Sequence, residues 1–173
     1  MKINLNTDLD KLKDLKSGDT VYLTGVIYTA RDAAHMRIEQ YLNENKELPV
    51  DFSNHFIYYA GPTPTKPGMA VGSIGPTTSS RMDKFSYMMK KLNVLGTIGK
   101  GPRDENCFRT YNNDHILYLI TTGGIGALLS KCVKKCDIVA FDDLGTESIK
   151  RLEVENFPVI VAYDYYENDI FRR

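Results

Sequence analysis

An α/β fold in a single compact domain is what this sequence predicts, and three observations carry the expectation. Strand-like and helix-like segments alternate along the chain. Several of the strand-like runs, HILYLITT, DIVAF and PVIVAYD, are apolar nearly throughout, as in strands buried on both faces. The chain has 173 residues, 42% of them hydrophobic, which is enough for one core.

Taken in order, LNTDLDKLKDLKSGD spaces Leu5, Leu9, Leu12 and Leu15 at helical intervals and stops at Ser17-Gly18. TVYLTGVIYT is rich in Val, Ile, Thr and Tyr and reads as a strand. A helix over TARDAAHMRIEQYLNENK follows, with Thr29 and Asp32 spaced as a capping box and Ala34, Ile38, Tyr41 and Leu42 on one apolar face. HFIYYAG is a second strand, GPTPTKPG a proline-rich loop and MAVGSI a third strand. RMDKFSYMMKKL is helical, with Met82, Phe85, Met89 and Leu92 turned to a core. VLGTIG is a short strand running into GKGPRD, and GGIGALLSKCVKKC reads as a helix entered through glycines. The tail YYENDIFRR, residues 165–173, has no clear period and is a candidate extension toward a partner.

Charge and composition exclude some functions. Lys plus Arg and Asp plus Glu balance at 22 each, so there is no electrostatic footprint for nucleic acid or an anionic membrane. The first residues, MKINLNTDLD, lack the apolar run of a signal peptide, and no stretch approaches a membrane span. Three cysteines, an odd count, suit reduced thiols in the cytoplasm. Cys132 and Cys136 stand four apart on the expected helix and Cys107 lies elsewhere. Without the Cys-x-x-Cys spacing of metal loops, they read as small, half-buried packing residues.

The chemistry is expected at strand ends. TARDAAH, GPTTSSRMD and GKGPR each follow a strand and join hydroxyls or glycines to a cation: Arg31, Arg81 and Lys100. Ligands of open α/β sheets sit beyond the carboxyl ends of strands. A cation in the first turn of a helix opposes the helix dipole, and a bound anion would offset that cost. Each residue also has a plainer reading. Thr77, Thr78, Ser79 and Ser80 include an N-cap; Arg31 could pair with Asp32 or Glu39; His35, one turn after Arg31, could be a hydrogen-bonded structural residue; Lys100 could be a surface lysine. The repetition at three strand ends favours an anion site. A phosphate loop is excluded because GTIGKG lacks its spacing, and GGIGALL lacks the third glycine of a dinucleotide fingerprint.

With these motifs, the sequence resembles the beta subunit, or C-terminal domain, of class I fumarases and L(+)-tartrate dehydratases. TARDAAH, GPTTSSRMD, the GKG around Lys100, GGIGALL and DLGTESIKRLEVENFPVIVAYD follow that family's order from about Leu15 to Asp164. One departure is visible: members often read Asp-Leu-Gly-Met-Glu-Ala where this chain has Thr146 and Ser148. The resemblance implies a swivelling β/β/α fold. It also implies a hydro-lyase of the tricarboxylic acid cycle reaction, fumarate to L-malate, working as a heteromer with an alpha subunit that holds a [4Fe-4S] cluster through its own cysteines. Tartrate dehydration to oxaloacetate is the alternative, and a non-catalytic dicarboxylate-binding or assembly module is the alternative of another class. By position in the motifs, Arg31, Arg81 and Lys100 would bind substrate carboxylates, Thr77 would handle the proton, His35 and Thr78 would support them, and no residue of this chain would bind metal.

Overall fold

The computed structural model describes residues 1–122 and 124–172. Gly123, in the expected glycine entry to a helix, and Arg173, at the end of the tail, lie outside the described residues.

One mixed sheet closes on itself. The strands are β1 (Lys2–Asn4), β2 (Thr20–Thr29), β3 (Phe56–Tyr58), β4 (Gly96–Gly99), β5 (Leu117–Ile120), β6 (Val133–Ala140) and β7 (Ile149–Tyr163). β2, β3, β4 and β5 are parallel neighbours in that order. β7, the longest strand, runs antiparallel to both β2 and β5 and so joins the ends of the row into a small barrel. β1 pairs in parallel with Tyr22–Thr24 of β2, ahead of the Ile27–Thr29 stretch that β3 takes, and β6 pairs with the first half of β7. The α/β class and the single compact domain read from the sequence are the class and form of the molecule.

Alternation along the strands explains the two cores. Phe56, Tyr58, Leu117 and Leu119 point into the barrel with Val21, Leu23 and Ile27. Their neighbours Ile57, Tyr59 and Tyr118 point the other way, into a second core beneath the helices. A residue period of two with both faces buried produces the continuous apolar runs HILYLITT and PVIVAYD. DIVAF is the exception, because β6 is an edge strand, paired among the described residues only with β7, and its Ile138 and Val139 are exposed. The helices over the second core are α1 (Asp32–Asn43), α2 (Met88–Lys91) and α3 (Glu105–Asn113), with a 3-10 helix at Ser79–Phe85. Ala34 and Ile38 of α1 and Met82, Phe85, Met89 and Leu92 are all buried there, as their spacing predicts. None of the described helices is long and apolar enough to cross a membrane.

Four local expectations are corrected. The leucine repeat near the start is not a long helix: Lys2–Asn4 pair with β2, and only Leu9–Asp14 form a 3-10 helix. An available parallel neighbour outweighs a short helical period. MAVGSI is not a strand, because its chain folds back on the proline-rich loop. Thr63 N–H donates to the Ser73 carbonyl (2.9 Å), and the space beside Gly72 is filled by the Thr63 carbonyl. The expected helix at 123–136 is only α4 (Gly126–Ser130), so Cys132 lies beyond it and Cys136 is in β6. Finally, Thr29 and Asp32 form no capping box; Thr29 ends β2, and its hydroxyl accepts the Lys150 amide (3.1 Å). α3 has no counterpart among the expected elements. Its Asp104 carboxylate caps the Cys107 amide at 2.7 Å.

Residues 165–172 run beside the end of β7. Ile170 N–H donates to the Ala162 carbonyl (3.0 Å), and Asp169 bridges to Tyr163.

A cationic cluster at the ends of three parallel strands

The register sets the cluster. Thr29, Tyr58 and Ile98 are aligned across β2, β3 and β4, so the residues that follow leave the barrel side by side. Neighbouring strands are about 4.8 Å apart. Arg31, just past β2, and Lys100, just past β4, therefore flank the exit of β3 with backbones roughly 10 Å apart.

The GPTTSSRMD segment returns to fill the middle of this row. Thr77 N–H donates to the Tyr59 carbonyl (2.7 Å), Thr78 pairs with Lys100 in a parallel bridge, and Ser79 N–H donates to the Lys100 carbonyl (3.0 Å). The Lys100 amide in turn donates to Ser79 Oγ (3.0 Å). Gly99 is what lets Ser79 come so close: a β-carbon there would lie 1.9 Å from Ser79 Oγ. The 3-10 helix begins at Ser79, with Thr78 at its cap position but without a side-chain capping bond. The plain reading of the threonines as caps is therefore not what the geometry shows. Thr78 is exposed and Thr77 half-buried, and among the described residues the Thr77 hydroxyl has no hydrogen-bond partner.

Beneath this segment lies a buried clamp that the motifs did not suggest. Arg103, its side chain fully enclosed, donates from Nε to Asp83 Oδ1 at 2.5 Å. Its guanidinium stacks among Tyr59, Tyr111 and Tyr118, with centroids 5.3, 5.2 and 4.9 Å away. Asp83 Oδ2 also accepts the Asp104 amide (2.9 Å). The clamp thus ties the 3-10 helix carrying Arg81 to the strand end carrying Lys100.

The structure brings Arg31, Thr77, Thr78, Arg81 and Lys100 to one face, but the three cations are not alike. Arg81 is held by Asp32 through a two-point contact, Nη2 to Oδ2 at 2.6 Å and Nε to Oδ1 at 3.2 Å. Using the Nε edge leaves the Nη1 edge of the fork open to a second carboxylate. Asp32 is thereby taken, and Glu39 accepts from the Tyr87 hydroxyl (2.5 Å). Neither carboxylate foreseen for Arg31 pairs with it, and its Nε is buried without an acceptor among the described residues. Lys100 likewise has no carboxylate partner among the described residues. It also borders a mainly apolar cleft of about 380 Å³ lined by Thr121, Ile125, Val159 and Phe171. Arg31, Thr77 and Arg81 stand outside that cleft, on an open face. Their open position makes a poor enclosed pocket but a good surface for closure by another chain.

His35 lies behind the face, completely buried. Its Nδ1–H donates to the Arg31 carbonyl (2.8 Å), the only role an N–H can take toward a carbonyl, and Nε2 has no partner among the described residues. The ring packs against Tyr59 and Phe85. Burial, opposed in part by that hydrogen bond, pulls its pKa down to about 4. The ring is therefore neutral at pH 7, and it supports the Arg31 main chain rather than contacting solvent. Because the folded value lies below the ordinary 6.5, the unfolded chain takes up the proton first as pH falls. Stability is expected to drop by about 2 kcal/mol between pH 7 and pH 5 through this group. Urea midpoints at the two pH values should show the drop in the wild type and a much smaller one in His35→Gln.

The thiols do not fit a metal cluster. Cys107 is buried in the core under the helices, whereas Cys132 and Cys136 pack against the barrel core. Burial raises all three, Cys107 to about 12. Among the described residues no three His, Cys, Asp or Glu side chains converge in a metal-binding group. The donors at the strand ends are cations and hydroxyls, suited to an anion.

The chain is similar to proteins of one known family. A family model described as "Fumarase C-terminus" matches residues 1–173. A protein of Methanocaldococcus jannaschii named "Putative L(+)-tartrate dehydratase subunit beta" is 44% identical over 166 residues, 92% of this chain and 85% of the relative. "Fumarate hydratase class I, anaerobic" of Escherichia coli is 34% identical over 179 residues, and "Fumarate hydratase 1, mitochondrial" of Leishmania major 37% over 153. The matched region is 33% and 28% of the length of those two relatives.

Proposed function

The chain belongs to the fumarase C-terminus family, and from that premise we propose that it is the beta-type subunit of a cytoplasmic hydro-lyase that interconverts fumarate and L-malate. The observation that carries the reading is that Arg31 and Lys100 flank Thr77 at three adjacent strand ends and have no carboxylate partner among the described residues.

Removing water from malate takes a proton from a carbon next to a carboxylate. The negative charge that develops is tolerable only when it spreads into a carboxylate held by fixed cations. Arg31 offers a planar fork and Lys100 a point charge for that carboxylate, and the open Nη1 edge of Arg81 supplies a third contact. Asp32 keeps Arg81 oriented without occupying that edge. Thr77 presents its hydroxyl between the cations as the group that passes the proton at carbon. A threonine is too weak a base to act alone, so as its oxygen takes the proton from carbon its own hydroxyl proton passes to a carboxylate on the partner. No set of side chains among the described residues fits a [4Fe-4S] cluster, which the reading assigns to an alpha-type partner. This chain's own work is binding, orientation and proton handling, in a heteromer whose partner closes the open face.

The test is reconstitution under anaerobic conditions with an alpha-type chain, followed by assays on L-malate and L-tartrate. Turnover is expected only on mixing. Arg31→Ala should lower kcat/KM about 10- to 100-fold, the loss of one charge-assisted contact. Dicarboxylate binding without turnover would instead mark a binding module, and an unaffected Arg31→Ala would remove this residue from the site. Tartrate dehydration is a second reading, favoured by the 44% identity and similar length of the M. jannaschii relative. The ratio of kcat/KM for the two substrates decides between them.

A further inference from the structure

Lys150 is a buried ammonium with no carboxylate bonded to it among the described residues. It stands at the start of β7, in register with Thr29 at the end of β2, and is 7% exposed. Its Nζ donates to Ser148 Oγ (2.8 Å) and to the carbonyls of Thr146 (3.1 Å), Gly145 (3.3 Å) and Ser148 (3.3 Å). Those acceptors belong to the kinked 3-10 turn Asp142–Glu147 and the residue that ends it, Ser148; inside the turn Gly145 has φ 61, and Phe141 just before it has φ 54. Only a side chain that reaches back can gather carbonyls turned inward by such a backbone. Burial lowers the lysine's pKa, opposed in part by the nearby Cys136 and by the Asp142 carboxylate.

The turn held in this way touches the cationic face at three places. Glu147 Oε1 accepts the Ala33 amide at the start of α1 (3.2 Å). Asp143 receives both Nη groups of Arg37, at 2.6 and 2.8 Å. The Thr146 carbonyl and the Arg31 guanidinium both crowd Gly61: a β-carbon there would lie 2.9 Å from that oxygen and 3.0 Å from Arg31 Nη1. Arg31 therefore lies along a wall made of Gly61 and the Lys150-bound turn. Thr146 and Ser148, where the sequence departs from the resembling family's pattern, are two of the residues that hold the ammonium.

We infer that Lys150, together with Ser148, is a positioning latch: it fixes the 142–148 turn and through it the direction in which Arg31 presents its guanidinium to the substrate carboxylate. The inference rests on the proposed role of Arg31. The experiment compares wild type, Lys150→Met and Ser148→Ala, each assembled with the alpha-type chain. It reads steady-state kinetics and amide hydrogen exchange in this chain. Lys150→Met is expected to raise KM for the substrate turned over, L-malate or L-tartrate, about tenfold while kcat changes less than about threefold. Ser148→Ala is expected to raise KM about threefold. Exchange at Ala33, Leu144 and Ser148 should quicken at least about tenfold in Lys150→Met. Faster exchange with unchanged KM would show a purely structural lysine and overturn the latch, as would unchanged exchange. Should Lys150→Met fail to fold, Ser148→Ala is measured by the same two readouts, and the same outcomes support or overturn the latch. If the wild-type pair turns over neither acid, the proposed reaction fails instead. Exchange then judges the latch alone, quickened at Ala33 and Leu144 in its favour and unchanged against it.

Discussion

Arg103→Met is expected to destabilise the protein by about 3–5 kcal/mol, a large share of the roughly 5–15 kcal/mol that holds a domain together. The reason is the burial of its partner. Asp83 is 8% exposed, and once the guanidinium is gone the Asp104 amide is the one hydrogen-bond donor left to it among the described residues. A buried carboxylate left with one neutral donor costs far more than the lost attraction alone. The cation also loses three tyrosine rings that surround it. Urea denaturation at pH 7 should show the midpoint fall with little change in slope. Adding Asp83→Asn to Arg103→Met should recover part of the loss, since the charge goes and the acceptor for Asp104 stays. A drop below about 1 kcal/mol for the single variant would mean that Asp83 is solvated and the clamp is not a clamp.

Thr77→Val should carry the largest effect on turnover, a fall in kcat of about 10²- to 10⁴-fold with KM within a few-fold. The replacement is close in shape and removes only the hydroxyl. The fold should tolerate it, because the Thr77 amide rather than its side chain holds the segment to Tyr59. The residue is also half-exposed, so no buried group is orphaned. Thr77→Ser, which keeps a hydroxyl, should retain activity within about tenfold of wild type. Stopped-flow or steady-state assays of the anaerobically assembled pair would measure both. Wild-type kcat in Thr77→Val, with the partner's cluster intact by its absorption, would take proton transfer away from this residue.

These two residues differ in how visible they are in the sequence. Thr77 stands in a hydroxyl-rich run that draws attention in one dimension. Arg103 sits in GKGPRD as one more cation in a Gly-Pro stretch, and nothing local says that three tyrosines, one just past β3 and one each from α3 and β5, will enclose it. The signals for α3 are present in the sequence. Asp104 three residues before Cys107 and Glu105 in the first turn are ordinary start signals, and Cys107, Phe108 and Tyr111 lie on one face. They are masked by the glycine-rich approach, which has the composition of a loop.

Alternation and apolar content set β2, α1, β3, β4 and β5 in order, the two-faced burial of β3 and β5, and the placing of Arg31 and Lys100 after strands, because these follow from side-chain periodicity within a few residues. Arg81, expected after a strand at MAVGSI, follows none and reaches the face through the 3-10 helix. Pairing did not follow in this way. Asp32 bonds Arg81, 49 residues away, rather than its neighbour Arg31, and Arg37 bonds Asp143 across 106 residues. Cys136 became part of a strand because β7 offered it an edge. Such choices depend on which groups the closed barrel brings within hydrogen-bond reach. Distance in space, which no local pattern encodes, decides whether a charge is cancelled or left free to bind.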